Sequence, residues 1–159
     1  MDVEPLPQSG INRILGLMEL LDRRGGKEDI YKLGRELNYE LGDLLLVIKG
    51  GEMLGFLNTP GGDVILEELG KKMLKGNTNT KKKLFRDQLK KLRIIQHFQA
   101  WLEQAEGKRL EKDAILEELA RILPQEQPET LFQTLVNWSR YAELFGYNPD
   151  REELYLDEG

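Results

Sequence analysis

The chain has 159 residues, enough for one ordinary domain or two small ones, and its 40% apolar and 32% charged residues are typical of a folded protein. It contains no cysteine, which excludes disulfides, thiolate metal sites and cysteine nucleophiles. No apolar run approaches the roughly 18 residues of a membrane-spanning helix. These properties predict a cytoplasmic protein that is not inserted in a membrane.

Charge is unevenly distributed along the chain, although the net charge is only -5. Between Lys71 and Arg93 the sequence has ten basic residues and one acidic residue, so the remainder is strongly acidic. A basic segment of this kind suits an electrostatic contact with nucleic acid, an acidic protein surface or anionic lipid, and a solvated helix face is the alternative. The predicted partner-binding residues, called the basic strip below, are Lys81, Lys82, Lys83, Arg86, Lys90, Lys91 and Arg93.

The first predicted elements are a linker or tail and one amphipathic helix. Residues 1–8 contain two prolines and little periodicity, which is typical of a linker. Apolar residues from Ile11 to Leu21 recur at helical spacing, and the helix is expected to stop at Gly25. Ser9 is placed to cap this helix.

A helix-turn-helix followed by a hairpin comes next. A short helix over residues 29–37 and a longer one over residues 40–54 are separated by a turn. Gly55 ends the longer helix, and Pro60-Gly61-Gly62-Asp63 connects two short strands as a hairpin loop. Helices that run into a hairpin are typical of a winged helix, so residues 9–76 are predicted to form a first winged-helix module.

The same order of parts recurs in residues 77–159. An apolar stripe between Leu84 and Leu102 predicts one long helix or two abutting ones. A short helix opening at Asp113, a longer helix over residues 129–144 and a hairpin over residues 145–156 then repeat the first module. The predicted fold is mainly α with small β hairpins (α+β), built from tandem winged-helix modules joined by a long helical segment.

The residues that could carry chemistry do not combine into an active site. The single histidine, His97, has no visible set of metal-ligand partners and is expected on a surface or half-buried helix face. The carboxylate pairs, such as Glu117-Glu118, are expected to be solvated, and no phosphate-binding loop is present. The sequence therefore predicts no catalytic, cofactor-binding or metal-binding residues.

Winged helices often bind DNA, which makes a DNA-binding transcriptional regulator an alternative function. The third helix of a DNA reader is normally basic. Here the first copy carries Glu40, Asp43 and Glu52 against Lys49, and the second copy is also net acidic. These charges argue against sequence-specific DNA binding by the third helices.

Four segments resemble the AAA-associated C-terminal domain family. They are Ile14–Gly26, Leu44–Phe56, Lys83–Leu89 and Trp138–Phe145, the last with the wing residues Glu153–Leu156. We interpret the family-motif residues of the segment Trp138–Phe145 as structural; they are Trp138, Arg140, Tyr141, Glu143 and Phe145. In the middle helix the chain has Lys91-Leu92-Arg93 where the family pattern would have a proline.

The resemblance implies an accessory domain that follows the ATP-binding cassette of a nitrate/sulfonate/bicarbonate-type transporter ATPase. It implies a regulatory or protein-interaction role, with a cassette, a permease or a second copy of the chain as the partner. ATP and Mg²⁺ are then expected only on the upstream cassette. The chain would lie in the cytoplasm, peripheral to the inner membrane through a transporter complex.

Overall fold

The structure, a computed structural model, describes residues 3–157 and forms two compact units. One unit is Pro7–Leu84, and the other joins the N-terminal residues up to Leu6 to the chain from Phe85 onward. The predicted domain boundaries, 1–8, 9–76 and 77–159, stay a prediction. The described part of residues 1–8 has no helix or strand, and Leu6 is buried.

The first unit runs through a helix, a strand, two helices, a hairpin and a closing helix. The bounds are α1 Ile11–Arg23, β1 Lys27–Asp29, α2 Ile30–Leu37, α3 Leu41–Met53, β2 Leu57–Asn58, β3 Asp63–Leu66 and α4 Glu68–Lys75. The strands form an antiparallel sheet in the order β1-β3-β2. The carboxylate of Asp29 caps α2 by accepting hydrogen bonds from the N–H groups of Tyr31 and Lys32. The prediction that Ser9 caps α1 is wrong, because Gly10 occupies the N-cap position.

The second unit repeats this order, without the closing helix, after one connecting helix. The bounds are α5 Thr78–Leu89, which begins before the division between the units, α6 Arg93–Gln104, β4 Arg109–Glu111, α7 Lys112–Ile122, α8 Pro128–Tyr141, β5 Phe145–Asn148 and β6 Glu153–Leu156. A short 3-10 turn, Glu106–Lys108, leads into β4. The strands form an antiparallel sheet in the order β4-β6-β5. The short helix begins at Lys112, so the predicted opening at Asp113 is one residue late.

The apolar stripe between Leu84 and Leu102 lies on two separate helices, α5 and α6. The sequence was compatible with one long helix or with two abutting ones. The break lies at Lys90-Lys91-Leu92, where Leu92 has an extended backbone with φ -78° and ψ 132°. The side-chain amide of Gln96 donates to the carbonyl oxygen of Lys90 at 2.9 Å, which satisfies a carbonyl at the end of α5. The chain therefore breaks here without the proline of the family pattern.

The third helix of the first copy, α3, ends in a Schellman turn. The N–H of Phe56 donates to the carbonyl of Gly51 at 2.9 Å, and the N–H of Gly55 donates to the carbonyl of Glu52 at 3.0 Å. Gly55 has φ +81°, the left-handed conformation that glycine adopts without strain. The turn directs the chain from the helix straight into β2.

The same turn ends α8 in the second copy. The N–H of Leu144 donates to the carbonyl of Ser139 at 2.9 Å, and the N–H of Glu143 donates to the carbonyl of Arg140 at 3.0 Å. Glu143 takes the left-handed position, with φ +55°. Aligning Glu143 with Gly55 gives a residue-by-residue match between the two third helices and between β2 and β5.

The predicted fold class is confirmed: the chain is mainly α-helical with small antiparallel sheets. Each sheet has a third strand that the sequence did not predict, β1 or β4, placed directly before the second helix of its copy. Both copies therefore have the order helix, strand, helix, helix, strand, strand. The name winged helix stays an interpretation of this order.

Candidate functional site

The basic strip extends along α5 from Lys81 and reaches the first residue of α6, Arg93. Lys81, Lys82 and Lys83 lie in the first unit, and the other members, Arg86, Lys90, Lys91 and Arg93, lie in the second. The side chains of Lys81, Lys82 and Arg86 are half-buried, and those of Lys83, Lys90, Lys91 and Arg93 are exposed. Partner binding by the strip stays a prediction.

Arg86 has a structural contact in the second unit. Its Nη1 donates to the carbonyl oxygen of Ala142 at 3.0 Å, and Ala142 is the capping residue at the C-terminus of α8. A cation at this end of a helix is favoured by the helix dipole as well as by the hydrogen bond. Arg86 therefore holds α8 in place, whatever else it binds.

Phe85, the neighbour of Arg86, contacts the same end of α8. Its buried ring meets Trp138 edge to face, with centroids 6.1 Å apart, and meets Tyr141 in the same way at 5.2 Å. Both ring contacts join α8 to α5. In the wing itself, the ring of Tyr147 packs on Phe132 at 5.4 Å.

The segments Lys83–Leu89 and Trp138–Phe145 thus meet in one cluster, called the α5–α8 clasp and made of Phe85, Arg86, Trp138, Tyr141 and Ala142. The remaining motif residues flank it. Arg140 is exposed in the last turn of α8, Glu143 forms the Schellman turn, and Phe145 is fully buried as the first residue of β5. These contacts support a structural interpretation of the motif.

A patch of exposed apolar residues lies on the helix-turn-helix of the first unit. Tyr31 on α2 is 65% exposed, and Leu41 and Leu45, one turn apart on α3, are 46% and 47% exposed. Tyr31 and Leu41 line one open groove of about 300 Å³ together with Ile30, Gly34 and Tyr39. Tyr31, Leu41 and Leu45 are called the apolar face below.

The second copy is polar where the first is apolar. Aligning the Schellman turns pairs Leu41 with Glu129 and Leu45 with Gln133, and aligning the caps Asp29 and Glu111 pairs Tyr31 with Asp113. All three counterparts are exposed. The architecture therefore does not require apolar residues at these positions.

In a comparison with protein-family models, residues 31–148 match the model of the C-terminal AAA-associated domain. This match covers well over half of the chain. The chain belongs to the C-terminal AAA-associated domain family. No curated protein and no solved structure matches it.

The matched residues of this AAA-associated domain contain the three surfaces and clusters described above. The basic strip, the α5–α8 clasp and the apolar face all lie between Tyr31 and Asn148. The resemblance stated from the four segments is thereby confirmed. Within the described residues, no helix is both long and apolar enough to cross a bilayer.

The apolar face was not predicted from the sequence, although a signal for it was present. Leu44, Leu45, Leu46, Val47 and Ile48 form a continuous apolar run. Such a run covers every side of a helix, so a helix packed on one side must leave some of it in water. The structure buries Leu44, Val47 and Ile48 and leaves Leu45 exposed.

His97 is half-buried in α6, as expected, and it is bound to a carboxylate. Its Nε2 lies 2.6 Å from Oε2 of Glu118 in α7. The guanidinium of Arg121 binds the same carboxylate with two hydrogen bonds, at 2.6 and 2.9 Å. Glu118 is only 17% exposed, so the prediction that it is solvated is wrong. Among the described residues no cluster of side chains could hold a metal ion.

We expect Glu118 to make folding stability depend on pH. The hydrogen bonds from Arg121, and then the one with His97, lower the pKa of Glu118 from 4.5 to about 2. Its stabilisation is complete above pH 4.5 and is lost as the pH falls through about 2. Because Arg121 is largely exposed and solvent screens the pair, E118Q should lower the free energy of unfolding by about 1 kcal/mol at neutral pH.

Urea denaturation between neutral pH and pH 2 measures this effect. The difference in the free energy of unfolding between E118Q and the native chain should shrink as the pH falls below 4.5, the ordinary pKa of a glutamate side chain. The exposed neighbouring residue Glu117 provides the control. E117Q should have the same free energy of unfolding as the native chain at every pH. A difference for E118Q that stays constant down to pH 2 would contradict the assignment.

Proposed function

We propose that this AAA-associated domain is a non-catalytic regulatory domain of an ABC-type transporter ATPase, and that it acts by docking on a protein partner through the apolar face. The partner would be the cassette or the permease at the cytoplasmic side of an importer. The observation that carries the proposal is the exposure of Tyr31, Leu41 and Leu45 on helices whose counterparts in the second copy are polar. Membership of an AAA-associated family supports the ATPase context.

The composition of the exposed side of α3 favours protein over DNA as the partner. Leu41 and Leu45 are accompanied there by Asp43 and Glu52, with Lys49 as the basic residue. A helix that enters the DNA major groove needs basic and polar side chains for phosphates and base edges. Apolar anchors surrounded by a charged rim are instead typical of a protein interface.

Docking can regulate the ATPase only if the domain binds its active and inactive states unequally. The apolar face then contributes more binding free energy in one arrangement of the cassettes than in the other. An anchor the size of Leu contributes on the order of 1 to 2 kcal/mol when it is fully buried. Three such anchors suffice to change the balance between two states that differ by a few kcal/mol.

The first experiment compares the ATPase rate of the cassette subunit with and without the domain, and then adds the 159-residue chain back in trans. We expect the rate to change on deletion and to be restored by the added chain. An unchanged rate, together with unchanged transport by the truncated subunit, would contradict a regulatory role. A restored rate that falls as salt is raised would implicate the basic strip as a second contact.

The apolar face is tested by the double variant L41D/L45D in the same add-back assay. Both side chains are exposed, so the fold should be kept, while two carboxylates in the interface should weaken docking by tenfold or more, on the order of 1.4 kcal/mol. The control is Q133D, which places the same charge at the counterpart of Leu45 in the second copy. Normal restoration by L41D/L45D, with its circular dichroism unchanged, would exclude the apolar face as the docking surface.

A further inference from the structure

The solvent side of the second sheet carries an unusual cross-strand row. Tyr155 in β6 pairs with Arg109 in β4 on one side and with Gly146 in β5 on the other. Directly paired residues point to the same side of a sheet. The row therefore places an arginine, a tyrosine and a glycine next to one another.

Gly146 allows the ring of Tyr155 to lie down across the sheet. A Cβ atom at residue 146 would be 2.2 Å from Cζ and 2.4 Å from Cε2 of that ring. Any other residue would push the ring away, because atoms cannot approach so closely. Tyr155 remains 42% exposed, so one side of its ring is open to solvent as a flat aromatic platform.

Cationic and polar groups surround this platform in a cavity of about 310 Å³. Its lining includes Lys108, Arg109, Asn148, Arg151 and Glu153. The oxygen Oδ1 of Asn148 accepts hydrogen bonds from the backbone N–H groups of Asp150 and Arg151 at 3.0 and 3.2 Å. These bonds fix the turn that carries Arg151 at the rim of the cavity.

The two arginines can still bind a ligand. Arg109 Nε lies 3.8 Å from Oε2 of Glu153, which is too long for a hydrogen bond. Arg151 forms no ion pair with any residue that the structure describes. Both guanidinium groups present planar sets of N–H donors that match phosphate oxygens.

The first sheet lacks these features at the same positions. Its equivalent row is Lys27, Ile65 and Asn58, with no aromatic ring and no glycine. The platform is therefore particular to the second copy and is not a consequence of the shared architecture. The first sheet provides a matched control within the same molecule.

We propose that this cavity binds a nucleoside phosphate, independently of the docking surface. The base stacks on Tyr155, Arg109 and Arg151 hold the phosphate, and Glu153 accepts a hydrogen bond from a ribose hydroxyl. The volume lies at the lower limit of small-ligand pockets, which suits a single nucleotide. Glu153, which also lines the cavity, repels a bare phosphate, whereas a nucleotide offers this carboxylate a ribose hydroxyl as a donor.

The test is a titration of the 159-residue chain with adenosine 5′-monophosphate, followed by ¹H–¹⁵N NMR spectra. We expect the largest shifts in β4, β5 and β6. R151Q and R109Q should each weaken binding about tenfold by removing a charge-assisted hydrogen bond. Y155L should weaken it at least about fivefold by removing the stacking surface, whereas Y155F should bind as the native chain does.

K27Q, at the position of Arg109 in the first sheet, should leave the affinity unchanged. Three results would overturn the proposal. The first is equal affinity for inorganic phosphate and for the nucleotide, with no effect of Y155L. The second is that the NMR shifts are confined to the basic strip. The third is that oligonucleotides bind with an affinity that rises with their length, while the mononucleotide does not bind.

Discussion

Replacing Phe85 by alanine is expected to lower the free energy of unfolding by about 3–5 kcal/mol, the largest effect of any substitution considered for this chain. The Phe85 side chain is fully buried and meets both Trp138 and Tyr141 edge to face. Its removal leaves a cavity at the centre of the α5–α8 clasp and also removes two aromatic contacts. A rigid core cannot collapse fully to fill that cavity.

Urea denaturation followed by tryptophan fluorescence suits this measurement, because Trp138 lies in the same cluster and is fully buried. Phe85→Leu keeps most of the volume and should cost about 1.5 kcal/mol or less. If Phe85→Ala costs no more than Phe85→Leu, the clasp does not depend on this ring. A loss limited to the fluorescence signal, with an unchanged midpoint, would contradict the prediction in the same way.

Replacing Gly70 by alanine is expected to lower the free energy of unfolding by about 2 kcal/mol, although alanine is the better helix former. A Cβ atom at this position of α4 would lie 2.8 Å from the backbone oxygen of Phe56 and 2.6 Å from Cδ1 of Leu66. The leucine could change its rotamer, but a backbone oxygen at the end of α3 cannot move without disturbing the Schellman turn. The helix must therefore shift away from the hairpin.

Gly16→Ala in α1 is the matched control for Gly70→Ala. A Cβ atom at Gly16 would have no neighbour within 4 Å, so only the helix propensity changes. We expect this variant to be more stable by up to about 1 kcal/mol. Equal effects of the two substitutions in thermal denaturation would show that the close approach at Gly70 does not constrain the fold.

Most helices of this chain could be predicted because their signals are local. Asp29 caps α2, Gly55 ends α3 and the Pro60–Asp63 loop connects β2 and β3, each at or next to its predicted position. Capping and turn chemistry act over a few residues, so the sequence displays them directly. The family motif could be recognised for the same reason, since it includes the residues of a helix end.

The strands β1 and β4 could not be predicted in this way. Lys27-Glu28-Asp29 and Arg109-Leu110-Glu111 are short and charged, with neither the alternation nor the β-branched residues of a strand. They become strands because β3 and β6 offer an unpaired edge next to them. Their hydrogen-bonding partners lie tens of residues away along the chain.

The candidate sites show the same division. The basic strip was visible as a run of charges, whereas the hydrogen bond between Glu118 and His97 joins two different helices. The platform on the second sheet requires Tyr155 and Gly146 to be paired across two strands. Neither residue alone carries a signal that a local pattern could reveal.

The helices, the two hairpins, the repeated order of parts and the family could all be inferred from local sequence, because periodicity, capping and turn chemistry are properties of neighbouring residues. Tertiary contacts set which leucines of α3 stay in water, what Arg86 binds and where the ring of Tyr155 lies. Exposure and pairing are set by side chains that are remote along the chain and close in space. For that reason the fold could be predicted from the sequence, while the surfaces that would act on a partner or a ligand follow only from the three-dimensional structure.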